Sequence, residues 1–149
     1  GNFTLPLSQR FCNVLATELS KPATAAARLN AETNRTHNIE LARLSAEDMT
    51  AAMVGERTFR RLAELKQPLA HYQFDTLLVD PPRAGLDAAT LSLANRFKRV
   101  LYISCNPETL GDNLATLSAT HNIESLAFCD QSPYTHHLES GVVLSKKTA

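Results

Sequence analysis

The stretch that most constrains this chain is Val100-Leu101-Tyr102-Ile103-Ser104-Cys105-Asn106-Pro107-Glu108-Thr109-Leu110. Val100 to Ile103 is an apolar run of strand type. Asn106, Pro107 and Glu108 together read as a helix start. Asn106 supplies a capping side chain, Pro107 fits the first turn, and Glu108 complements the dipole. A strand that passes into a helix within two residues is half of a βα unit. In open α/β sheets, ligands bind beyond the carboxyl ends of the strands. Cys105 occupies that position. The commoner state of a cysteine is a small buried hydrophobe. The polar neighbours Ser104 and Asn106, and a helix start that favours an adjacent anion, point instead to a presented nucleophile.

The remaining chain repeats the strand–helix alternation. Strands are expected at 13–18, 39–44, 74–80, 100–103, 123–129 and 141–145. Helices are expected at 3–10, 21–34, 46–53, 87–97 and 107–118, with Pro6 and Pro22 in first turns and Ser45 as a cap. Residues 54–72 are charged, with Arg57, Arg60, Arg61 and Lys66, and read as a helix-containing insertion broken at Pro68. Alternation of this kind predicts an α/β, doubly wound, mostly parallel sheet. The loop between the last two strands has no room for a crossover helix, so those two are expected to be antiparallel to each other.

At 149 residues the chain can bury one domain-sized core. Fifteen Lys and Arg balance fifteen Asp and Glu, so no strong global field draws in nucleic acid, though a local basic patch is compatible with this balance. No apolar run approaches membrane-spanning length, and no basic-then-apolar leader is visible. The three cysteines, Cys12, Cys105 and Cys129, form no CxxC pair. That argues against a disulfide framework or a Cys-rich metal site and fits a reducing cytosol. The chain opens on Gly1-Asn2-Phe3-Thr4-Leu5, which reads as the end of a loop entering a helix. The expectation is a piece of a longer protein, with a strand and a loop immediately upstream.

Four features fall near strand ends. Gly1-Asn2-Phe3 has the form of a glycine-ended cofactor loop, a form that any turn can share. Glu18 ends a strand where an acid commonly binds a ribose hydroxyl pair, and equally reads as a solvated loop carboxylate. Asp80-Pro81-Pro82-Arg83 is more specific, because two prolines hold Asp80 and Arg83 at little further entropy cost. It resembles the motif of base-methylating enzymes, although those that methylate amino groups usually carry an aromatic residue in place of Arg83. The last feature is Tyr134-Thr135-His136-His137-Leu138-Glu139. Adjacent histidines point opposite ways when extended and chelate one metal poorly, so no metal site is expected. Glu139 begins the last strand, where it reads either as an exposed edge carboxylate or as an acid–base partner of a thiol adduct.

Taken in order, these stretches resemble the C-terminal catalytic part of the RNA 5-methyluridine methyltransferases. The matching residues are Gly1-Asn2-Phe3, Ala16-Thr17-Glu18, Val79 through Asp87, Tyr102 through Leu110 and Tyr134 through Glu139. The histidine-pair form of the last stretch is most similar to the bacterial tRNA (uracil-5-) branch. The resemblance implies a Rossmann-like, S-adenosyl-L-methionine-dependent methyltransferase fold whose final strand is antiparallel and whose first strand is missing from this chain. An N-terminal RNA-binding lobe would also precede it. It further implies Cys105 as nucleophile, Glu139 as proton acceptor, and Asn2, Glu18 and Asp80 as cofactor contacts. The tRNA T-arm is the implied partner, with Arg83 and the segment from Arg57 to Arg61 as phosphate contacts, and the cytoplasm the implied location. A ribosomal-RNA target within the same family is the first alternative. A second is a non-catalytic, self-associating domain formed by this chain alone. A third is a Cys/His hydrolase built on Cys105 with His136 or His137, which would leave Asp-Pro-Pro-Arg without a role.

Overall fold

The computed structural model describes residues 1–131, 133–135 and 138–148. It divides into two compact units, Gly1–Tyr72 and Gln73–Ala149. His136 and His137, the basis of the hydrolase alternative, lie outside the described residues.

In the first unit, helix α1 (Thr4–Ser8) precedes strand β1 (Val14–Thr17), helix α2 (Lys21–Thr33), strand β2 (Ile39–Ala42) and helix α3 (Ala46–Met53). β1 and β2 are parallel, with Val14 opposite Ile39 and Thr17 opposite Ala42. α2 is the crossover that a parallel pair requires. It starts where its sequence directs. The Ser20 hydroxyl accepts from the Ala23 amide at 3.4 Å, with Pro22 in the first turn. Ser45 likewise caps α3 by accepting from the Asp48 amide at 3.1 Å.

Residues 54–72, expected as a helix-containing insertion broken at Pro68, have 3-10 helices on both sides of that proline. They form two 3-10 turns, Arg60–Glu64 and Leu69–His71, separated by extended backbone at Leu65. Packing decides this outcome. Phe59, Leu62, Leu65 and Leu69 all lie against the buried cluster of Ala42, Leu44 and Met49. Pro68 biases its predecessor away from helix. Glu40 then secures the segment, because its carboxylate accepts from the Lys66 amide at 2.9 Å and from the Tyr72 hydroxyl at 2.9 and 3.0 Å.

The second unit holds strands β3 (Thr76–Val79), β4 (Arg99–Ser104), β5 (His121–Cys129) and β6 (Glu139–Lys146), in the spatial order β3-β4-β6-β5. Helices α4 (Ala88–Ala94) and α5 (Pro107–Leu117) flank β4 in sequence. β3 and β4 are parallel, and β6 runs antiparallel to both of its neighbours. The final strand is thus the reversed one, as expected. Burial alternates along β4 and β6, so that Val100, Tyr102, Val142 and Leu144 enter a core shared with Leu93, Phe97, Leu110 and Leu117. β5 is the sheet edge, with a register irregularity between Ile123 and Ser125 and with Ile123, Leu126 and Phe128 about half exposed. Among the described residues, no helix is long and apolar enough to cross a membrane.

Candidate active site

β4 ends at Ser104, and the chain turns at Cys105 before α5 begins. Ser104 makes this turn. Its buried hydroxyl accepts from the Asn106 amide at 3.1 Å and donates to the Asn106 carbonyl at 3.0 Å, which brackets Cys105. Asn106 then caps α5, its side-chain oxygen accepting from the Glu108 amide at 3.2 Å. Cys105 is half-buried, whereas Cys12 and Cys129 are exposed. A thiol held at a strand end and partly shielded can meet a ligand and still exclude bulk water.

Glu139 is positioned by the neighbouring strand. The last pair of the β4–β6 ladder is Ser104 with Ser140. Cys105 follows Ser104 and Glu139 precedes Ser140, so the two stand one step further along the same end of the sheet. Glu139 is half-buried, and its partner on the other side is Cys129 of β5. Asp80 follows Val79, whose register partner is Tyr102. Asp80 therefore leaves the carboxyl end of β3 beside the strand that carries Cys105. Partial burial holds its carboxyl above the ordinary value.

The prolines of Asp80-Pro81-Pro82-Arg83 do not act alone. The Arg83 carbonyl accepts from Asn106 Nδ2 and from Thr109 Oγ1, both at 3.1 Å. The Leu86 amide donates to Asn113 Oδ1 at 2.8 Å. The buried Tyr102 hydroxyl donates to the same oxygen at 2.7 Å, and burial keeps that phenol protonated to higher pH than usual. Sequence reasoning passed over Thr109, Asn113 and Tyr102. The available signal was an asparagine in the interior of a helix, a position it does not favour intrinsically.

Asp80, Arg83, Cys105 and Glu139 thus gather at one end of the second unit's sheet. Asn2 and Glu18 belong to the first unit. Asn2 is exposed in the turn before α1, with no capping role there. Glu18 follows β1, and its Oε1 accepts from the Ser20 amide at 2.7 Å, which orients the carboxylate. An oriented carboxylate after a β-strand suits a vicinal diol, which offers two O–H donors. The arginine-rich segment is engaged within its own unit. Arg57 lies over the Phe59 ring at 4.9 Å, and Arg61 donates to the Arg43 carbonyl at 3.0 Å. Among the described residues, no group of three His, Cys, Asp or Glu side chains could hold a metal ion.

Known proteins resemble this chain along nearly its whole length. The chain is 60% identical over 144 residues to a tRNA/tmRNA (uracil-C(5))-methyltransferase of Acinetobacter baylyi, covering 97% of this chain and 40% of that protein. It is 56% identical over 147 residues to the enzyme of the same name from Neisseria meningitidis, again 40% of that protein's length. The chain therefore spans about two-fifths of these relatives. Among solved structures, Pyrococcus abyssi tRNA (uracil-54, C5)-methyltransferase in complex with S-adenosyl-L-homocysteine matches with a TM-score of 0.68 at 30% identity, over 97% of this chain and 31% of that one. The N-methyltransferase NodS of Bradyrhizobium japonicum, at 12% identity and a TM-score of 0.66 over 99% of this chain and 74% of that one, shares the fold alone. The model of the family described as tRNA (Uracil-5-)-methyltransferase matches residues 1–147, and the chain belongs to that family.

Proposed function

We propose that this chain is the C-terminal catalytic part of a longer protein that methylates carbon 5 of a uridine in the tRNA T-loop. The observation that carries the reading is the register that brings Cys105 and Glu139 to adjacent positions at one end of the β4–β6 ladder. Family membership and the names of the relatives support the reaction class and the tRNA substrate.

Each residue has a definable task. Carbon 5 of uracil is too electron-poor to attack an electrophile. The Cys105 thiolate adds to carbon 6, forming a carbon–sulfur bond and sending the ring electrons toward an enolate with a nucleophilic carbon 5. S-adenosyl-L-methionine, when bound, would supply the methyl group that carbon 5 takes up, its sulfur keeping the electron pair of the broken S–CH3 bond as S-adenosyl-L-homocysteine. Glu139 removes the carbon-5 proton, the carbon 5–carbon 6 double bond re-forms, and Cys105 leaves as thiolate. Glu18 would bond the cofactor's ribose hydroxyls, and Asn2 and Asp80 are the further residues that would hold it. Arg83 faces RNA phosphate. The target base must leave its stack to reach Cys105. The whole cycle is placed in the cytoplasm.

The test is a T-arm RNA carrying 5-fluorouracil, mixed with S-adenosyl-L-methionine and the full-length protein. Fluorine at carbon 5 cannot be removed as a proton, so the reaction stalls with RNA bonded to Cys105. A denaturation-resistant protein–RNA band is expected, lost in Cys105→Ala. Glu139→Gln should accumulate the same band on natural RNA. Residues 1–149 by themselves are expected to form none. Absence of a band from a protein that does methylate tRNA refutes the covalent route.

A further inference from the structure

The cap of α5 and two residues within it face the turn that carries Asp80 and Arg83. They are Asn106, Thr109 and Asn113, spaced by three and four and so on one side of the helix. The first two bind the Arg83 carbonyl. The third does more, because one atom, Asn113 Oδ1, accepts from both the Leu86 amide and the Tyr102 hydroxyl. These donors come from different elements. Leu86 closes the turn after β3, and Tyr102 is a fully buried residue of β4, three residues before Cys105. The turn is also shaped to this oxygen. Gly85 has φ +79°, and a Cβ there would stand 2.7 Å from Asn113 Oδ1 and 3.3 Å from Thr109 Cβ.

We propose that Asn113 is a positioning residue of the active site, joining the Asp80–Arg83 turn to the Cys105 strand through the single oxygen that accepts from Leu86 and Tyr102. The inference rests on the functional reading above and adds a residue to it. An amide N–H and a phenol O–H both need an acceptor, and the two lone pairs of one carboxamide oxygen serve both. Leucine fills the same space and accepts nothing. Aspartate has the same shape and keeps the acceptor. Beside the bonds that Asn106 and Thr109 make to Arg83, the seat of this turn on β4 thus draws on Oδ1 and not on side-chain volume.

The test uses the full-length protein with Asn113→Leu and Asn113→Asp. Three quantities are read: exchange of the Leu86 amide, affinity for S-adenosyl-L-homocysteine by calorimetry, and KM for S-adenosyl-L-methionine against kcat. In Asn113→Leu the amide should exchange at least about tenfold faster, and homocysteine-product affinity should fall about tenfold with a parallel rise in KM, the scale of one lost hydrogen bond. Asn113→Asp should restore all three to within about threefold. A folded Asn113→Leu protein with wild-type amide protection and affinity overturns the proposal, and so does failure of aspartate to rescue. Should Asn113→Leu not fold, Asn113→Ser replaces it. Its shorter hydroxyl cannot bridge both donors, and wild-type affinity in that variant is equally fatal. Wild-type protein that binds S-adenosyl-L-homocysteine but forms no RNA adduct would count against the functional reading, not against the role of Asn113.

Discussion

Gly85→Ala should destabilise the protein far more than Gly55→Ala, although both glycines have almost the same backbone conformation, φ +79° and +82°. Each alanine incurs the left-handed penalty of about 1–2 kcal/mol. Each also recovers about 0.4–1 kcal/mol from a less flexible unfolded chain. These two contributions cancel in the comparison. The surroundings do not, because a Cβ at Gly55 meets nothing within 4 Å, while one at Gly85 meets Asn113 Oδ1 at 2.7 Å. That contact is untenable, and the oxygen must move away from the Leu86 amide and the Tyr102 hydroxyl. Leaving a buried donor unpaired costs about 1–3 kcal/mol. We therefore expect Gly85→Ala to cost about 2–4 kcal/mol and Gly55→Ala about 1 kcal/mol or less. The assay is urea unfolding followed by circular dichroism, with Asn113→Ala and the double variant completing a thermodynamic cycle. Removing the carboxamide removes the obstruction, so the double variant should be less destabilised than the two singles summed, by about 1–2 kcal/mol. Equal costs at the two glycines, or additivity within about 0.5 kcal/mol, would refute the steric argument.

Three further outcomes follow from single contacts. Asp87 caps α4, its carboxylate accepting from the Thr90 amide at 2.8 Å and the Thr90 hydroxyl at 2.9 Å, so Asp87→Ala should cost about 1 kcal/mol at neutral pH in urea unfolding. The Thr90 amide holds the Asp87 carboxyl below its ordinary value of 3.8, so this stability is present above that value and is lost as pH falls through the lower folded one. Wild type and variant should therefore converge in acid, and a gap independent of pH would contradict the charge assignment. Ser140 is buried with its hydroxyl unpartnered among the described residues, so Ser140→Ala should leave stability unchanged or raise it by about 1 kcal/mol, and a loss above that would reveal a bond to this hydroxyl. Tyr72→Phe removes the donor to Glu40 and should cost about 1–2 kcal/mol, with a melting point equal to wild type as the refuting result.

The parts of this fold that were legible in the sequence are those fixed by neighbours along the chain. Ser45 and Asn106, read as caps, place an acceptor two or three residues before an unpaired amide, and Ser20 and Asp87, not singled out from the sequence, cap by the same rule. The strand-end placement of Glu18, Asp80 and Cys105 was legible for the same reason, since each follows an apolar run. For residues 54–72 the sequence yielded helical content broken at Pro68 but not the helix type, because their shape comes from packing on Ala42, Leu44 and Met49, and apolar spacings of three and four serve 3-10 turns as well as α-helix. β5 begins two residues before its expected start, at His121, and β6 reaches back from the apolar run 141–145 to Glu139, the residue read as beginning the last strand. Both extensions lie in polar sequence and exist because the partner strand supplies the ladder.

The same distinction explains why the site needed a structure to be completed. The chemistry of Cys105 and Glu139 belongs to residue types, and a motif can announce it. Their juxtaposition comes from an antiparallel register between strands separated by the whole of α5 and β5. The Asp-Pro-Pro-Arg turn depends on partners 23 to 27 residues away, in Asn106, Thr109 and Asn113. Two prolines narrow what the turn can adopt, but they do not choose where it points. That choice falls to Asn106 and the side chains of α5, whose first turn also follows Cys105. One short helix therefore sets both the end of the Cys105 strand and the carboxyl edge of its neighbour. A disturbance at Asn113, two turns from the thiol, should accordingly be felt at Asp80 before it is felt at Cys105, because Ser104 and Asn106 hold the cysteine turn by bonds of their own.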